Sequence, residues 1–184
     1  MIKIDKKTEK NFLIAEELRS NDKSEQAIEI LKEILHKYPG FPPALNSIAL
    51  SYVGLKKFEE AESYFIKCME TEPVPLVCIN NFAKLYYNLN YFKKAIPLLR
   101  KSLKISTNQI QIIEITAVCL FEAGFKNEAD NFYREVLKKF PNNNTIKYLQ
   151  GKNLLRMNKH KEGLESIKEN AGVIEFGEKQ FKID

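Results

Sequence analysis

Small residues recur in this chain at a constant interval of 34 positions, and this feature restricts the possible folds more than any other. Two series share the interval, and each consists of four alanines followed by a glycine. They are Ala15, Ala49, Ala83, Ala117 and Gly151, and Ala27, Ala61, Ala95, Ala129 and Gly163. A fixed period of this length indicates stacked repeats, each a helical hairpin that cannot bury its apolar face alone. The series therefore predict a helical repeat array, an architecture that favours a binding role.

The repeats can be placed in register, with units near 8–41, 42–75, 76–109, 110–143 and 144–172. In most units, apolar residues at the seventh and eleventh positions lie on one face of a first helix. In the second helix a large residue follows each small residue by four positions: Leu31, Phe65, Leu99, Tyr133 and Ile167. Large beside small residues allow two helices to approach closely. We expect looser packing in the fifth unit, where both series change to glycine.

Turn-forming residues separate the predicted helices. Prolines end units one, two and four at Pro39, Pro73 and Pro141. Residues that tolerate turn conformations lie between the two helices of each unit: Asn21, Asp22, Gly54, Asn88, Asn90, Gly124 and Asn158. Pro97 does not fit, because it falls inside a predicted second helix and removes a backbone donor there. We expect that helix either to begin late or to bend.

The residues at the repeating positions resemble those of the tetratricopeptide repeat family. Unit two has the pattern throughout: Leu45, Ile48, Ala49, Tyr52, Ala61, Phe65, Cys68 and Pro73. Unit three follows it except at Thr107, and the fifth unit departs most, with Gln150 and Glu175. The resemblance covers about residues 8–170. It implies an all-α fold, a right-handed superhelical solenoid of antiparallel helix pairs. Because the family is a scaffold for unrelated partners, it says little about function.

The end of the chain has a different pattern. Residues 173–176 and 180–183 alternate apolar and polar side chains around a predicted turn, which is typical of a β-hairpin. We therefore predict a helical repeat domain over 1–172 and a short hairpin-like capping tail over 173–184. A lone hairpin is marginal in water, so the tail is expected to pack on the last helix. A rival interpretation is that the tail docks on a partner or on a second copy of the chain.

Charge and composition restrict the environment and the partners. The net charge is +5, but Glu is interspersed among the Lys residues, which is typical of a solvated surface rather than a polyanion site. No apolar run is long enough to span a membrane, and the N-terminus lacks a secretion signal. The three cysteines, Cys68, Cys78 and Cys119, have no metal-type spacing and form no disulfide framework. We expect a reducing, cytoplasmic location, with Cys68 in the core and the other two exposed.

The sequence contains no catalytic motif. His36 and His160 fall near predicted helix ends, and no nucleophile lies at a diagnostic spacing from either. The seven glycines are scattered and form no phosphate-binding loop. We expect neither enzymatic activity nor a cofactor or metal.

The family resemblance points to a binding groove. In that family the first helix of each unit lines a concave face through positions two, five, six, nine, twelve and thirteen. Carried onto this chain, these positions predict a peptide-binding groove that contains Asn46, Asn80, Asn81, Lys84, Tyr87, Asn88, Glu114, Phe121, Glu122, Tyr148 and Lys152, with Phe12 and Glu16 from the first unit. Asparagines can satisfy a peptide backbone, and Tyr87, Phe121 and Tyr148 are expected to form apolar pockets. The Lys-x-x-x-Asn pair of the chaperone-tail clamp is absent, so that ligand is not favoured.

The sequence thus favours a protein-interaction scaffold that binds an extended or helical peptide along units two to four. One alternative is a regulatory or targeting module for a separate enzyme, for which the tail would be required. Another is an RNA- or polyanion-binding solenoid, which predicts steep salt dependence. In the predicted groove Lys84 and Lys152 are opposed by Glu16, Glu114 and Glu122, so nucleic acid is not the expected ligand. The sequence does not identify the partner.

Overall fold

A computed structural model describes residues 3–171, 176–177 and 180–181 of the chain. The chain divides into two compact units, Met1–Asn88 and Leu89–Asp184. The first contains α1 (Lys6–Ser20), α2 (Ser24–Lys37), α3 (Pro42–Gly54), α4 (Phe58–Met69) and α5 (Leu76–Asn88). The second contains α6 (Phe92–Ile105), α7 (Ile110–Glu122), α8 (Lys126–Lys139), α9 (Asn144–Arg156) and α10 (His160–Ala171). Residues 3–171 thus form an all-α helical repeat fold, as predicted.

Within each unit, consecutive helices pack as antiparallel neighbours. α3 contacts α1, α2, α4 and α5, and in the second unit α9 contacts α7, α8 and α10. All eight alanines of the two series are completely buried, and so are the large residues Leu31, Phe65, Leu99 and Tyr133. The small-beside-large packing is therefore confirmed. Ile14, the apolar residue at the seventh position of the first unit, is 39% exposed. No preceding helix pair among the described residues covers that face of α1.

The turn between the two helices of each repeat uses one left-handed residue at a fixed position. Positive φ angles occur at Asp22 (59°), Lys56 (58°), Asn90 (59°), Gly124 (78°) and Asn158 (63°), again 34 residues apart. The sequence prediction was wrong for the second repeat, where Gly54 is the last residue of α3 and Lys56 takes the left-handed conformation. The conformational freedom of Gly54 is therefore not used, because the position within the turn decides which residue adopts a positive φ angle.

Pro97 lies inside a helix rather than at its start. α6 begins at Phe92, five residues earlier, and continues to Ile105. Pro97 is exposed, so the Lys93 carbonyl that loses its backbone donor lies on the solvent side of the helix. The expectation of a late start is therefore wrong.

The glycines of the fifth repeat mark a close helix contact, not a loose one. A Cβ at Gly163 would lie 2.9 Å from the Gly151 carbonyl oxygen and 2.9 Å from Leu155 Cγ, and a Cβ at Gly151 would lie 2.6 Å from Ile167 Cγ1. The expected loosening is wrong, because α9 and α10 approach so closely that only glycine fits.

The tail is described in two short pieces. Phe176–Gly177 (β1) and Gln180–Phe181 (β2) pair antiparallel, with Phe176 opposite Phe181. Residues 172–175, 178–179 and 182–184 lie outside the described residues. A pairing of two residues per strand does not establish the predicted hairpin cap, which stays a prediction.

The cysteines and histidines occupy structural positions. Cys68, Cys78 and Cys119 are all buried as free thiols, so the expectation that the latter two are exposed is wrong. Burial raises the pKa of the Cys119 thiol to about 12, which keeps it protonated. His36 and His160 are exposed near the ends of α2 and α10, as predicted.

Candidate functional site

The first helices of the first three repeats, α1, α3 and α5, present a common face, called here the first-helix face. A cavity of about 160 Å³ lies on it. Its lining residues are Phe12, Glu16, Pro42, Pro43, Asn46, Ser47, Pro75 and Val77. Six of these eight occupy inward positions of the repeat pattern. The structure therefore brings Phe12 and Glu16 on α1 together with Asn46 on α3.

Two predicted asparagines bond to each other. The Nδ2 amide of Asn81 on α5 donates to the Oδ1 oxygen of Asn46 on α3 at 3.0 Å. Asn46 is only 9% exposed, so its amide mainly ties the two helices together. Asparagine is costly in the middle of a helix, and this bond gives one structural reason for its recurrence.

Glu16 supplies a negative charge to the cavity. Burial would raise the pKa of its carboxyl, but hydrogen bonds from Arg19 and Ser47 and the Arg19 charge hold the pKa below its usual value. The Arg19 guanidinium lies 2.9 Å from the carboxylate, one turn further along α1. Glu16 is thus ionised at neutral pH, next to the Phe12 ring.

The remaining candidates of the first unit lie along α5. Asn80, Lys84 and Tyr87 are half-buried, and Asn88 is exposed at the end of the helix. Asn80, Lys84 and Tyr87 also take part in interactions within the structure. Their spacing of three and four residues places them on one side of α5, where part of each side chain is accessible.

In the second unit, three predicted residues meet around one buried ring. Phe121 is only 2% exposed, so the expectation that its ring forms an open pocket is wrong. The Lys152 ammonium lies 5.2 Å from the Phe121 ring centroid and 5.4 Å from that of Tyr148. The Arg156 guanidinium lies 3.4 Å from the Phe121 centroid, and its Nη1 donates to the Phe121 carbonyl at 2.7 Å. Both cations cover the ring through cation–π contact.

Arg156 was missed in the sequence analysis, although its position was informative. It occupies position thirteen of the fifth unit, one of the inward positions of the family pattern. The carboxylates nearby balance the two cations in number. Glu114 accepts a hydrogen bond at 2.9 Å from Asn143, the residue that caps α9, and Glu122 is exposed at the end of α7. This mixed charge differs from the basic surface expected for phosphate binding.

A larger cleft in the first unit lies outside the predicted groove. It has a volume of about 850 Å³ and lies at the connections between α2 and α3 and between α4 and α5. Pro42, Pro43 and Pro75 line both this cleft and the small cavity on the first-helix face. The proline cluster at the repeat boundaries was the sequence signal that could have pointed to it.

Comparisons with known proteins agree with the repeat register. Residues 42–75, 76–108 and 115–143 each match the tetratricopeptide repeat, and together these segments make up just over half of the chain. No curated protein sequence matches the chain significantly. In the described part of the chain, no helix is long and apolar enough to cross a bilayer.

Solved structures show the same fold at low sequence identity. YrrB, described as a TPR protein with an unusual peptide-binding site, is 19% identical, with a TM-score of 0.74 over 85% of this chain and 80% of that one. MamA of AMB-1 is 15% identical, with a TM-score of 0.77 over 93% of each chain. MamA from Desulfovibrio magneticus RS-1 is 14% identical, with a TM-score of 0.76 over 91% of this chain and 94% of that one. At these identities the likeness shows the fold alone.

Proposed function

We propose, from the premise that the chain belongs to the tetratricopeptide repeat family, that it is a non-enzymatic interaction scaffold whose first-helix faces bind a peptide of a partner protein. The family supplies the scaffold, and the residues of this chain supply the chemistry. The observation that carries the proposal is the cavity between α1, α3 and α5, where Phe12, Glu16 and Asn46 meet.

The cavity has the mixed lining that peptide recognition requires. Phe12 and Val77 offer apolar contact, whereas Ser47, Asn46 and Glu16 offer polar groups. An extended or helical peptide needs both, because its side chains seek apolar pockets and its polar groups must keep hydrogen-bond partners. The accessible side of α5, with Asn80, Asn81, Lys84 and Tyr87, extends the same face beyond the cavity.

The second unit offers a different surface for the same purpose. Lys152 lies between the Tyr148 and Phe121 rings, and Arg156 covers Phe121. Cations held over aromatic rings are fixed in position, which favours recognition of an acidic or carbonyl group on a ligand. YrrB, whose description includes a peptide-binding site, shares the fold and so makes peptide binding a reasonable use of this scaffold.

The test replaces the accessible side chains of α5. Peptides selected against the wild-type chain from a phage-displayed library are labelled, and their affinity is measured by fluorescence anisotropy. Replacing Asn80, Asn81, Lys84 and Tyr87 together by alanine is expected to weaken binding about tenfold or more, since a few central residues carry most interface energy.

The matched control replaces four exposed residues of α2 by alanine: Gln26, Glu29, Lys32 and Glu33. These side chains line neither cavity, so the selected peptides should bind this variant as they bind the wild type. Circular dichroism of both variants checks that the helices are retained. Wild-type affinity in a folded α5 variant would show that the peptide binds elsewhere.

A further inference from the structure

The 850 Å³ cleft of the first unit is lined mainly by prolines and apolar side chains. Leu45 is buried at its base, and Phe41 is half-buried with its ring edge-on to Phe12 at 5.8 Å. The volume lies within the range of ordinary ligand pockets and exceeds that of one large side chain. The cleft can therefore hold an aromatic side chain together with part of its neighbours.

The walls of the cleft accept hydrogen bonds more readily than they donate them. Five of the lining residues are prolines, which have no backbone N–H: Pro39, Pro42, Pro43, Pro73 and Pro75. The Pro42 carbonyl oxygen accepts from the Cys68 Sγ at 3.6 Å, a weak sulfur donor. The backbone amides of Phe41, Leu45, Glu70 and Thr71 already donate to carbonyls within the chain, so the walls offer few backbone donors to a peptide. An occupant is held by apolar contact and by the donors that it brings.

The rim of the cleft is acidic, although the whole chain carries a net charge of +5. Glu70 and Glu72 are exposed at the connection between α4 and α5. Lys67 also lines the cleft, but its ammonium lies 4.8 Å from the Tyr64 ring centroid. The two carboxylates outnumber the one ammonium, so the lining carries a net negative charge, which is complementary to a cationic ligand.

We propose that this cleft binds a peptide segment in which a large aromatic side chain fills the cavity and an adjacent Lys or Arg pairs with Glu70 and Glu72. The inference rests on the proposed function, because such a segment continues onto the first-helix face past Pro43 and Pro75, which line both cavities. It adds to that function the composition of the ligand, an aromatic residue beside a basic one.

The absence of tryptophan from the chain makes the test direct. The probe is the acetylated, amidated peptide Gly-Ser-Trp-Lys-Arg-Ser-Gly, whose indole emission is observed against the full-length chain without background. Burial of the indole is expected to shift its emission to the blue. The matched peptide Gly-Ser-Trp-Glu-Glu-Ser-Gly is expected not to bind, since its carboxylates face Glu70 and Glu72.

Variants of the chain then place the peptide. Changing Glu70 and Glu72 to glutamine is expected to weaken binding about three- to tenfold, the effect of two exposed ion pairs. Changing Glu29 and Glu33 on α2 to glutamine removes the same amount of charge outside the cleft and should leave the affinity for the peptide unchanged. Equal binding of both double variants, or of both peptides, would overturn the inference.

Amide chemical shifts separate this inference from the proposed function. Binding in the cleft is expected to shift the backbone amides of Gly40 and Thr71, which line it. Shifts confined to the side-chain amides of Asn46 and Asn81 would overturn the cleft assignment and leave peptide binding on the first-helix face in place. No binding of the probe would overturn the inference, while the α5 variant would still decide the proposed function by its own selected peptides.

Discussion

The hydroxyl of Tyr133 on α8 donates a hydrogen bond of 2.9 Å to the backbone carbonyl of Ala117 on α7. Both residues occupy positions of the 34-residue pattern, the large residue of one helix and the small residue of the other. Tyr133 is completely buried, and burial raises the pKa of its phenol, which therefore stays protonated as a donor. The hydrogen bond thus joins the two positions whose sizes define the repeat.

Removing this hydroxyl is expected to cost the free energy of one buried hydrogen bond. Tyr133→Phe should lower the free energy of unfolding by about 0.5–1.5 kcal/mol, since the ring still fills its site. Tyr133→Ala should cost about 3–5 kcal/mol because it also leaves a cavity. Urea denaturation measures both. Phe65 fills the equivalent position of another repeat without a hydroxyl, so equal losses in the two variants would argue against a separate hydrogen-bond contribution.

Alanine at Gly163 is expected to destabilise the second unit, although four repeats carry alanine at this position. The added Cβ would lie 2.9 Å from the Gly151 carbonyl oxygen, a backbone atom that cannot turn away. The overpacking should cost about 1–3 kcal/mol, more than the gain of about 1 kcal/mol in helix propensity. Gly54→Ala is the control, because its Cβ would meet the Ser24 hydroxyl at 3.2 Å. In thermal unfolding, Gly163→Ala should have a lower melting temperature than the wild type, and Gly54→Ala should have the same or a higher one.

Asp130 is a buried carboxylate, and replacing it by an apolar residue should stabilise the chain. It is 6% exposed, its Oδ2 pairs with Arg134 at 3.0 Å, and its Oδ1 has no hydrogen-bond partner among the described residues. At the equivalent pair of positions between repeats two and three, Glu62 accepts from the Tyr86 hydroxyl at 2.6 Å, but between repeats four and five the tyrosine position is Leu154. The carboxylate of Asp130 therefore lacks the donor that the earlier repeat provides.

Asp130→Leu is expected to raise the free energy of unfolding by about 1–3 kcal/mol, because a buried polar atom without a partner carries that penalty. Three other repeats have Ile or Leu at this position, so the space suits an apolar side chain. Arg134→Ala is the opposite test: it leaves the Oδ2 oxygen of the buried carboxylate without its partner as well, so it should lower the free energy of unfolding by about 1–3 kcal/mol. A destabilised Asp130→Leu chain would mean that the carboxylate contributes favourably through the ion pair.

The charge of Asp5 is expected to stabilise the start of α1 over a defined pH range. Its carboxylate accepts from Lys37 Nζ at 2.7 Å, from the Thr8 amide at 2.9 Å and from the Tyr38 hydroxyl at 2.9 Å. The Lys37 hydrogen bond, followed by the others, holds the pKa of Asp5 well below its usual value. Asp5 in turn raises the pKa of Lys37.

Asp5→Asn tests this pair while it keeps a side-chain acceptor at the helix cap. A lowered folded pKa gives stability that is present above the unfolded pKa of about 3.9 and is lost as the pH falls through the folded value. A raised Lys37 pKa gives stability that is present below about pH 10.4 and is lost as the pH rises further. The wild type should therefore have a higher melting temperature than Asp5→Asn near neutral pH, and the two melting temperatures should converge at very low and very high pH. A constant difference would rule out the charge as the cause.

The repeat could be predicted because its signal is distributed over the whole chain. A small residue at one position of every hairpin, alanine in four repeats and glycine in the fifth, is followed four positions later by a large one, and burial of both confirms the packing. The left-handed turn residue was also predicted wherever it was Asn, Asp or Gly. Lys56 was missed because its own conformational preference does not favour a left-handed turn, and the neighbouring repeats impose the register.

The candidate site was only partly predictable from the sequence. The family pattern indicated which face of each first helix is presented, and Phe12, Glu16 and Asn46 do line one cavity there. Whether a side chain on that face is accessible depends on its neighbours. Phe121 is covered by Arg156, a residue 35 positions away, and Asn46 is occupied by Asn81.

The sequence by itself determined the number of helices in each repeat, their order and the positions that face the core, because a 34-residue period depends only on residue size and helical geometry. Only the tertiary structure decided how close the helices come and which side chains remain accessible. Gly151 and Gly163 continue the small-residue series, but their meaning depends on the distance between α9 and α10, which no residue type encodes alone. The cleft beside the first-helix face likewise depends on connections that are distant in sequence and adjacent in space.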